Sequence, residues 1–405
     1  MEQKCRVCNS ETEEVLDLGE MYPSDFIRAE SEGYAKYPLS LVRCKECMLV
    51  QLNGEVEVDD MYRQYWYRSG LNRSMINDLK DVATSTISRL GENTDTNDIW
   101  LDIGCNDCTL FDFVPSSFTK IGFDPALNLF PSGGFDFLIT DYFTKERYEY
   151  ADAKVITSIA MFYDLPDPNK FVEDIKEVLH KDGIWVVQFT DLFSMLSLNA
   201  FDNICHEHLE YYSLMDVFSL LEKHGLSVFD AEYNKVNGGS LRVYACHPGV
   251  YKPTSSLIAS LLLESDFLSS ERGSMEEFKK NIEKVRKDLL ELLVSLKNKR
   301  VFILGASTKG NTLLQYCGID TTLVQLAAEV NQDKFGLKTI GTEIPIISET
   351  EALAKNPDYF LCLPWHFKDM LVDSLEDYLD RGGKFIFPLP EITIVSKDGE
   401  VKWNQ

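Results

Sequence analysis

The feature that most restricts this chain is an apolar strand ending in a turn of small residues. Residues 98–103 (DIWLDI) run into Gly104, Cys105, Asn106, Asp107 and Cys108 before the next helix start. A strand, a small-residue turn and a helix start form the usual cradle for a nucleotide-like ligand. The dinucleotide fingerprint is incomplete, because Asn106 and Cys108 replace its second and third glycines. A second strand, 120–123, ends in Asp124, 22 residues after Asp102. An acid at that place can accept both ribose hydroxyls, and a ribosyl ligand without phosphates needs the acid but not the glycines. The alternation continues with a strand at 154–158, a helix at 169–180 and a strand at 183–189. It ends with a helix at 214–224 and strands at 226–230 and 239–247. This pattern predicts an α/β fold with a mostly parallel sheet and a ligand at the carboxyl ends of its strands.

Ahead of that sheet lie two CxxC knuckles, Cys5/Cys8 and Cys44/Cys47. Two knuckles supply four thiolates, which close a tetrahedral zinc shell and leave no open position. The zinc is therefore expected to be structural, stapling a head too short to build its own core and ending near residue 65. Ten cysteines without an apolar leader suggest reduced thiols or metal and a cytoplasmic setting. A net charge of −25 argues against nucleic acid or an anionic membrane as partner, while leaving room for a local basic pocket. No run approaches 18 uninterrupted apolar residues.

The stretch FDNICHEHLEYYS (201–213) puts two histidines and two carboxylates within five residues. It follows a strand end, where catalytic loops sit on α/β scaffolds. HEHLE is not the HExxH metal helix, although Cys205, His206, His208 and Glu210 keep a metal reading open. His206 reads as a structural hydrogen-bonding residue. Residues 251–299 carry helical patterning, clearest from Met275 to Leu296, and suggest a connector. Residues 300–305 open a second α/β unit. Its GASTKGNT turn (305–312) nearly matches a phosphate loop, but Asn311 stands where lysine is required. The turn suits a diphosphate with Lys309 adding charge, or a bare structural turn.

In this order the CxxC pairs, DIGCND, the EH pair, NGGSLR and GASTKGNTLLQYCGI resemble the sugar C-methyltransferases, which methylate C-3 of nucleotide-linked 4-keto-6-deoxy sugars in deoxysugar biosynthesis. The resemblance spans the whole chain. It implies a zinc-binding domain (1–65), a class I, Rossmann-like S-adenosylmethionine domain (66–250), a helical connector (251–299) and a C-terminal Rossmann-like domain (300–405) that helps hold the nucleotide sugar. It implies His208 and Glu207 as the acid–base pair and Tyr67 as an active-site tyrosine. S-adenosylmethionine is expected on Asp102, Gly104, Asn106, Asp107, Asp124, Asp141, Tyr142, Phe143 and Met161. A core role for Phe143 is equally open. Ser307, Lys309, Asn311 and Thr312 are expected near the nucleotide end of the sugar substrate, and the chain as a monomer or weak homodimer.

Histidine suits the proton removal that α-methylation of a ketone needs. A neighbouring carboxylate can orient it, and a tyrosine hydroxyl can stabilise the enolate oxygen. The chain departs from the family at Ala160 and Asp164, where asparagine and histidine are usual, at Cys205 for tyrosine and at Glu329 for aspartate. Two rivals therefore stay open: an O- or N-methyltransferase, and a non-catalytic nucleotide-sugar-binding homologue.

Overall fold

A computed structural model of the chain describes residues 3–28, 33–54, 65–129 and 133–403. Two compact units make up the chain. The first comprises Met1–Glu13, Val42–Phe193 and Leu209–Phe267; the second comprises Glu14–Leu41, Ser194–His208 and Leu268–Gln405. Among the described residues no helix is long and apolar enough to cross a membrane.

The first unit is built on seven strands: β1 (Ile99–Ile103), β2 (Thr119–Phe123), β3 (Phe137–Ile139), β4 (Ala153–Ile159), β5 (Leu179–Phe189), β6 (Ser227–Asn234) and β7 (Ser240–Cys246). Their order is β6-β7-β5-β4-β1-β2-β3. β1 pairs in parallel with both β2 and β4, whereas β7 runs antiparallel to β5 and β6. Because β2 lies on one side of β1 and β4 on the other, the order reverses beside β1, which is where doubly wound sheets hold ligands. All five residues of β1 are buried, as expected for a strand covered on both faces.

The expected elements recur with small shifts. The helix Pro168–Val178 passes directly into β5, so residues 179–183 are strand rather than a loop. Gly183 is needed there, since a Cβ would lie 2.9 Å from the carbonyl oxygens of His180 and Lys154. Both knuckles cluster with the β1–β7 sheet. Carbonyl oxygens of Arg6 and Val7 accept from Asn169 Nδ2, at 2.9 and 3.2 Å, and that of Val7 also from Lys223 Nζ at 2.9 Å. These bonds tie the first knuckle to two helices of the β1–β7 sheet. The expected boundary near 65 adjoins residues 55–64, which lie outside the described residues.

The second unit repeats the doubly wound plan with β8 (Val301–Leu304), β9 (Leu326–Glu329), β10 (Ile346–Ser348), β11 (Tyr359–Cys362), β12 (Lys384–Phe387), β13 (Thr393–Ser396) and β14 (Gly399–Lys402). Their order is β10-β9-β8-β11-β12-β13-β14, parallel from β10 to β12. The order reverses beside β8, directly before the GASTKGNT turn. The helix Met275–Ser295 buries Phe278, Ile282, Val285, Leu289 and Leu292, an apolar stripe at helical spacing. The HEH segment belongs to this second unit, although the chain on both sides of it belongs to the first.

Candidate active site

At the end of β1 the chain turns through Gly104, whose φ is +74°. The amides of Gly104 and Cys105 both donate to the Phe123 carbonyl, at 2.8 and 3.0 Å. A Cβ at Gly104 would stand 3.0 Å from Met161 Cγ and 3.2 Å from its Cβ, so turn and Met161 side chain approach as closely as glycine allows. Asp124 closes the turn: Oδ2 accepts from the Asn106 amide at 2.8 Å and Oδ1 from the Ala126 amide at 2.9 Å. Each oxygen keeps a second acceptor site, which is what two ribose hydroxyls require. Burial raises the Asp124 pKa. Asp102 is more deeply withdrawn, accepting from Thr157 Oγ1 at 2.6 Å, and burial lifts its pKa to about 7.

The Tyr67 segment is pinned onto this turn. Asn106 Oδ1 accepts from the Ser69 amide at 3.0 Å, Asn106 Nδ2 donates to the Tyr67 carbonyl at 3.1 Å, and Asp107 Oδ2 accepts from the Gly70 amide at 2.8 Å. Thus Asn106 and Asp107 hold a loop over the turn. Burial, followed by the carboxylates of Asp107 and Asp78, pushes the Tyr67 hydroxyl well above the usual range, so it remains a proton donor. Beyond β3, Asp141 pairs with Arg147 at 3.2 Å and accepts from the Tyr142 amide. Phe143 packs edge-on against Phe123, Tyr148 and Phe171, so its ring is committed to the core and Tyr142 is the less buried ring of the pair. Ala160 has a φ of +56°, a region where asparagine is far more at home than alanine.

The four knuckle sulfurs fit zinc. Their ligand atoms all lie within 4.8 Å of one another, with Cys5–Cys47 at 3.6 Å, Cys8–Cys44 at 3.4 Å and Cys8–Cys47 at 3.6 Å. Zinc–sulfur bonds of about 2.3 Å in a tetrahedron require sulfur separations of about 3.8 Å. Amides of Glu46 and Cys47 donate to the Cys44 sulfur at 3.4 Å, as they would to a thiolate.

In the second unit the HEH segment and the GASTKGNT turn form one cluster. His208 Nδ1 lies 2.7 Å from the Asn203 carbonyl oxygen. A carbonyl only accepts, so Nδ1 carries the hydrogen and Nε2 keeps its lone pair. Burial, then the Lys309 ammonium, lowers the His208 pKa to about 3, and the ring is neutral at physiological pH. Burial lifts Glu207 to about 7, with Asp25 adding to the rise and Cys205 and Lys309 opposing it. Lys309 Nζ donates to Asn203 Oδ1, and Trp365 Nε1 donates to Asp202 Oδ2 at 2.8 Å. His206 Nε2 donates to the Tyr37 carbonyl at 3.3 Å, a packing role. The other turn residues are occupied in building it. Ser307 caps the helix Thr308–Cys317 by accepting from the Gly310 amide, Asn311 donates to the Asp25 carbonyl, and Thr312 is buried.

Comparison with known proteins bears on both units. Residues 5–62 match a zinc binding domain model, 75–231 a methyltransferase domain model, and 235–390 the C-methyltransferase C-terminal domain. Along 98% of its length the chain is 29% identical to the C-methyltransferase NovU of Streptomyces niveus, covering 97% of that protein. The chain is an S-adenosylmethionine-dependent methyltransferase. Solved structures with some likeness include an S-adenosylmethionine-dependent methyltransferase from Clostridium acetobutylicum (12% identity, 43% of this chain and 92% of that one, TM-score 0.33). Another is the magnesium protoporphyrin IX methyltransferase of Synechocystis with bound S-adenosylhomocysteine (10% identity, 44% and 87%, TM-score 0.34).

The methyltransferase unit brings Asp102, Gly104, Asn106, Asp107, Asp124 and Met161 to one turn, with Tyr67 on the loop above. Glu207, His208 and Lys309 meet in the second unit. Sequence reasoning missed Asn203, Asp202, Trp365 and His366. Asn203 lies inside the quoted HEH stretch, but its key contact is a backbone carbonyl, which no side-chain pattern announces. Also missed was the network beneath Tyr67, where buried Arg242 bonds Asp78 at 2.8 Å, Asp81 at 2.7 Å and Gln188 at 2.7 Å.

Proposed function

We propose that this methyltransferase acts on carbon, at C-3, α to the ketone of a nucleotide-linked 4-keto-6-deoxy sugar in deoxysugar biosynthesis. Full-length similarity to a C-methyltransferase supports the carbon acceptor. The observation that carries the reading is the neutral His208, whose Nδ1 hydrogen is held by the Asn203 carbonyl so that Nε2 is left as a base. S-adenosylmethionine, bound at the Gly104 turn with Asp124 on its ribose, supplies an electrophilic methyl group. His208 Nε2 accepts the α-proton, and the carbon–hydrogen electron pair moves into the enolate. Glu207, with a pKa of about 7, can carry that proton onward at neutral pH. Tyr67, protonated throughout the working range, donates a hydrogen bond to substrate oxygen. The test is incubation of candidate keto sugars with methyl-labelled S-adenosylmethionine, read by mass spectrometry and NMR. Label on the carbon beside the ketone is expected. Label on oxygen or nitrogen would refute the carbon acceptor.

A further inference from the structure

The cluster around His208 holds a cation, Lys309. Lys309 Nζ donates to Asn203 Oδ1, and the backbone carbonyl of the same Asn203 fixes His208. One residue therefore sets both the base and the ammonium. The bond to Lys309 also fixes the Asn203 amide, with Oδ1 on the ammonium and Nδ2 left as the second donor of the same group. That Nδ2 is buried and has no partner among the described residues. An unpaired buried donor costs roughly 1–3 kcal/mol, so this place favours any polar group that accepts from it. The field of Lys309 is felt across the cluster, since it depresses the pKa of His208, His366 and Asp202.

We propose that Lys309 Nζ and Asn203 Nδ2 form the oxyanion site of the reaction, receiving the ketone oxygen of the substrate as the adjacent carbon loses its proton to His208. This rests on the reading that the substrate is a ketone methylated at its α-carbon. In such a ketone the departing proton and the oxygen sit on neighbouring carbons, so base and oxyanion donors must lie side by side. Asn203 provides that by holding one with its main chain and the other with its side chain. The step balances: the carbon–hydrogen pair becomes the carbon–carbon π bond, the carbonyl π pair moves to oxygen, and the proton goes to Nε2. A neutral ketone and neutral imidazole give enolate and imidazolium, with Lys309 unchanged. Preorganised donors at a developing oxyanion typically contribute about 10²–10³ in rate each.

The test uses full-length, zinc-loaded protein and Lys309→Met. Solvent deuterium exchange at the α-carbon of a saturating keto-sugar nucleotide, without methyl donor, should fall by about 10²–10³. Calorimetry with nucleoside diphosphate alone should change less than threefold, and Lys309→Arg should recover most of the exchange. Unchanged exchange with tenfold weaker diphosphate binding would overturn the proposal and make Lys309 a diphosphate anchor. If wild type exchanges no such proton, the functional reading fails instead. The His208 titration by NMR still decides the placement of the ammonium: its pKa should rise in Lys309→Met, and an unmoved value overturns the juxtaposition. If the methionine variant does not fold, Lys309→Gln carries the same comparison.

Discussion

Substituting Gly104 by alanine tests whether the turn after β1 is as tight as its geometry implies. Two costs add. The residue has a φ of +74°, and an L-residue in the left-handed region pays roughly 1–2 kcal/mol. The new Cβ would also stand 3.0 and 3.2 Å from Met161 side-chain atoms. Overpacking of this kind costs typically about 1–3 kcal/mol, toward the low end here because methionine is flexible. A loss of roughly 2–4 kcal/mol is expected, and at about 2–4 °C per kcal/mol a clear fall in the melting temperature of the first unit. A double-mutant cycle separates the terms. In Gly104→Ala/Met161→Ala the part due to Met161 Cγ should vanish, while the 3.2 Å approach to its Cβ and the backbone part remain, with all melts run without S-adenosylmethionine. Strict additivity of the two changes would refute the contact with Met161. A melting temperature unchanged in Gly104→Ala would refute the strained turn altogether.

Three further outcomes follow from the same contacts. Purified protein should carry about one zinc by elemental analysis, and Cys44→Ser should lose it together with thermal stability, because the knuckle bonds the helices around β1–β7. Arg242→Met should destabilise by about 3–5 kcal/mol in denaturant melts, since it leaves the Asp78 carboxylate buried without its cation. Asp102 has a folded pKa of about 7, above its unfolded value, so the native state binds the proton more tightly. Its contribution is full at low pH and declines between about pH 4 and 7, by at most about 1.4 kcal/mol per unit. Asp102→Asn should flatten that slope relative to wild type in pH-dependent melts.

Much of the first unit was legible in sequence because its signals are local. Buried parallel strands write themselves as apolar runs, the knuckles as CxxC pairs, and Asp124 as an acid at a strand end. Gly104 and Asn106 were visible as a small-residue turn. Less local relations were not. The Lys309–Asn203 bond joins residues 106 positions apart, and the His208 contact is to main chain, so neither leaves a pattern along the sequence. Chain order assigns the HEH segment to the sheet that precedes it, since that order is the guide a sequence offers. In space it clusters with the second unit, whose GASTKGNT turn it meets. That turn resembles a phosphate loop for a physical reason: small residues permit any close approach. Here Gly310 is pressed on Leu363, where a Cβ would come within 2.5 Å of Cδ1.

The central claim is that His208 removes the proton from the carbon that is methylated. The most direct measurement is NMR-monitored exchange of that proton with deuterated solvent, without methyl donor, in wild type and His208→Asn. The loss of a positioned base costs about 10²–10⁴ in rate. The account expects exchange and methylation to fall together by that factor, while S-adenosylmethionine affinity, which it assigns to the Gly104 turn, stays near the wild-type value. Exchange at the wild-type rate in His208→Asn would contradict it and place the base elsewhere.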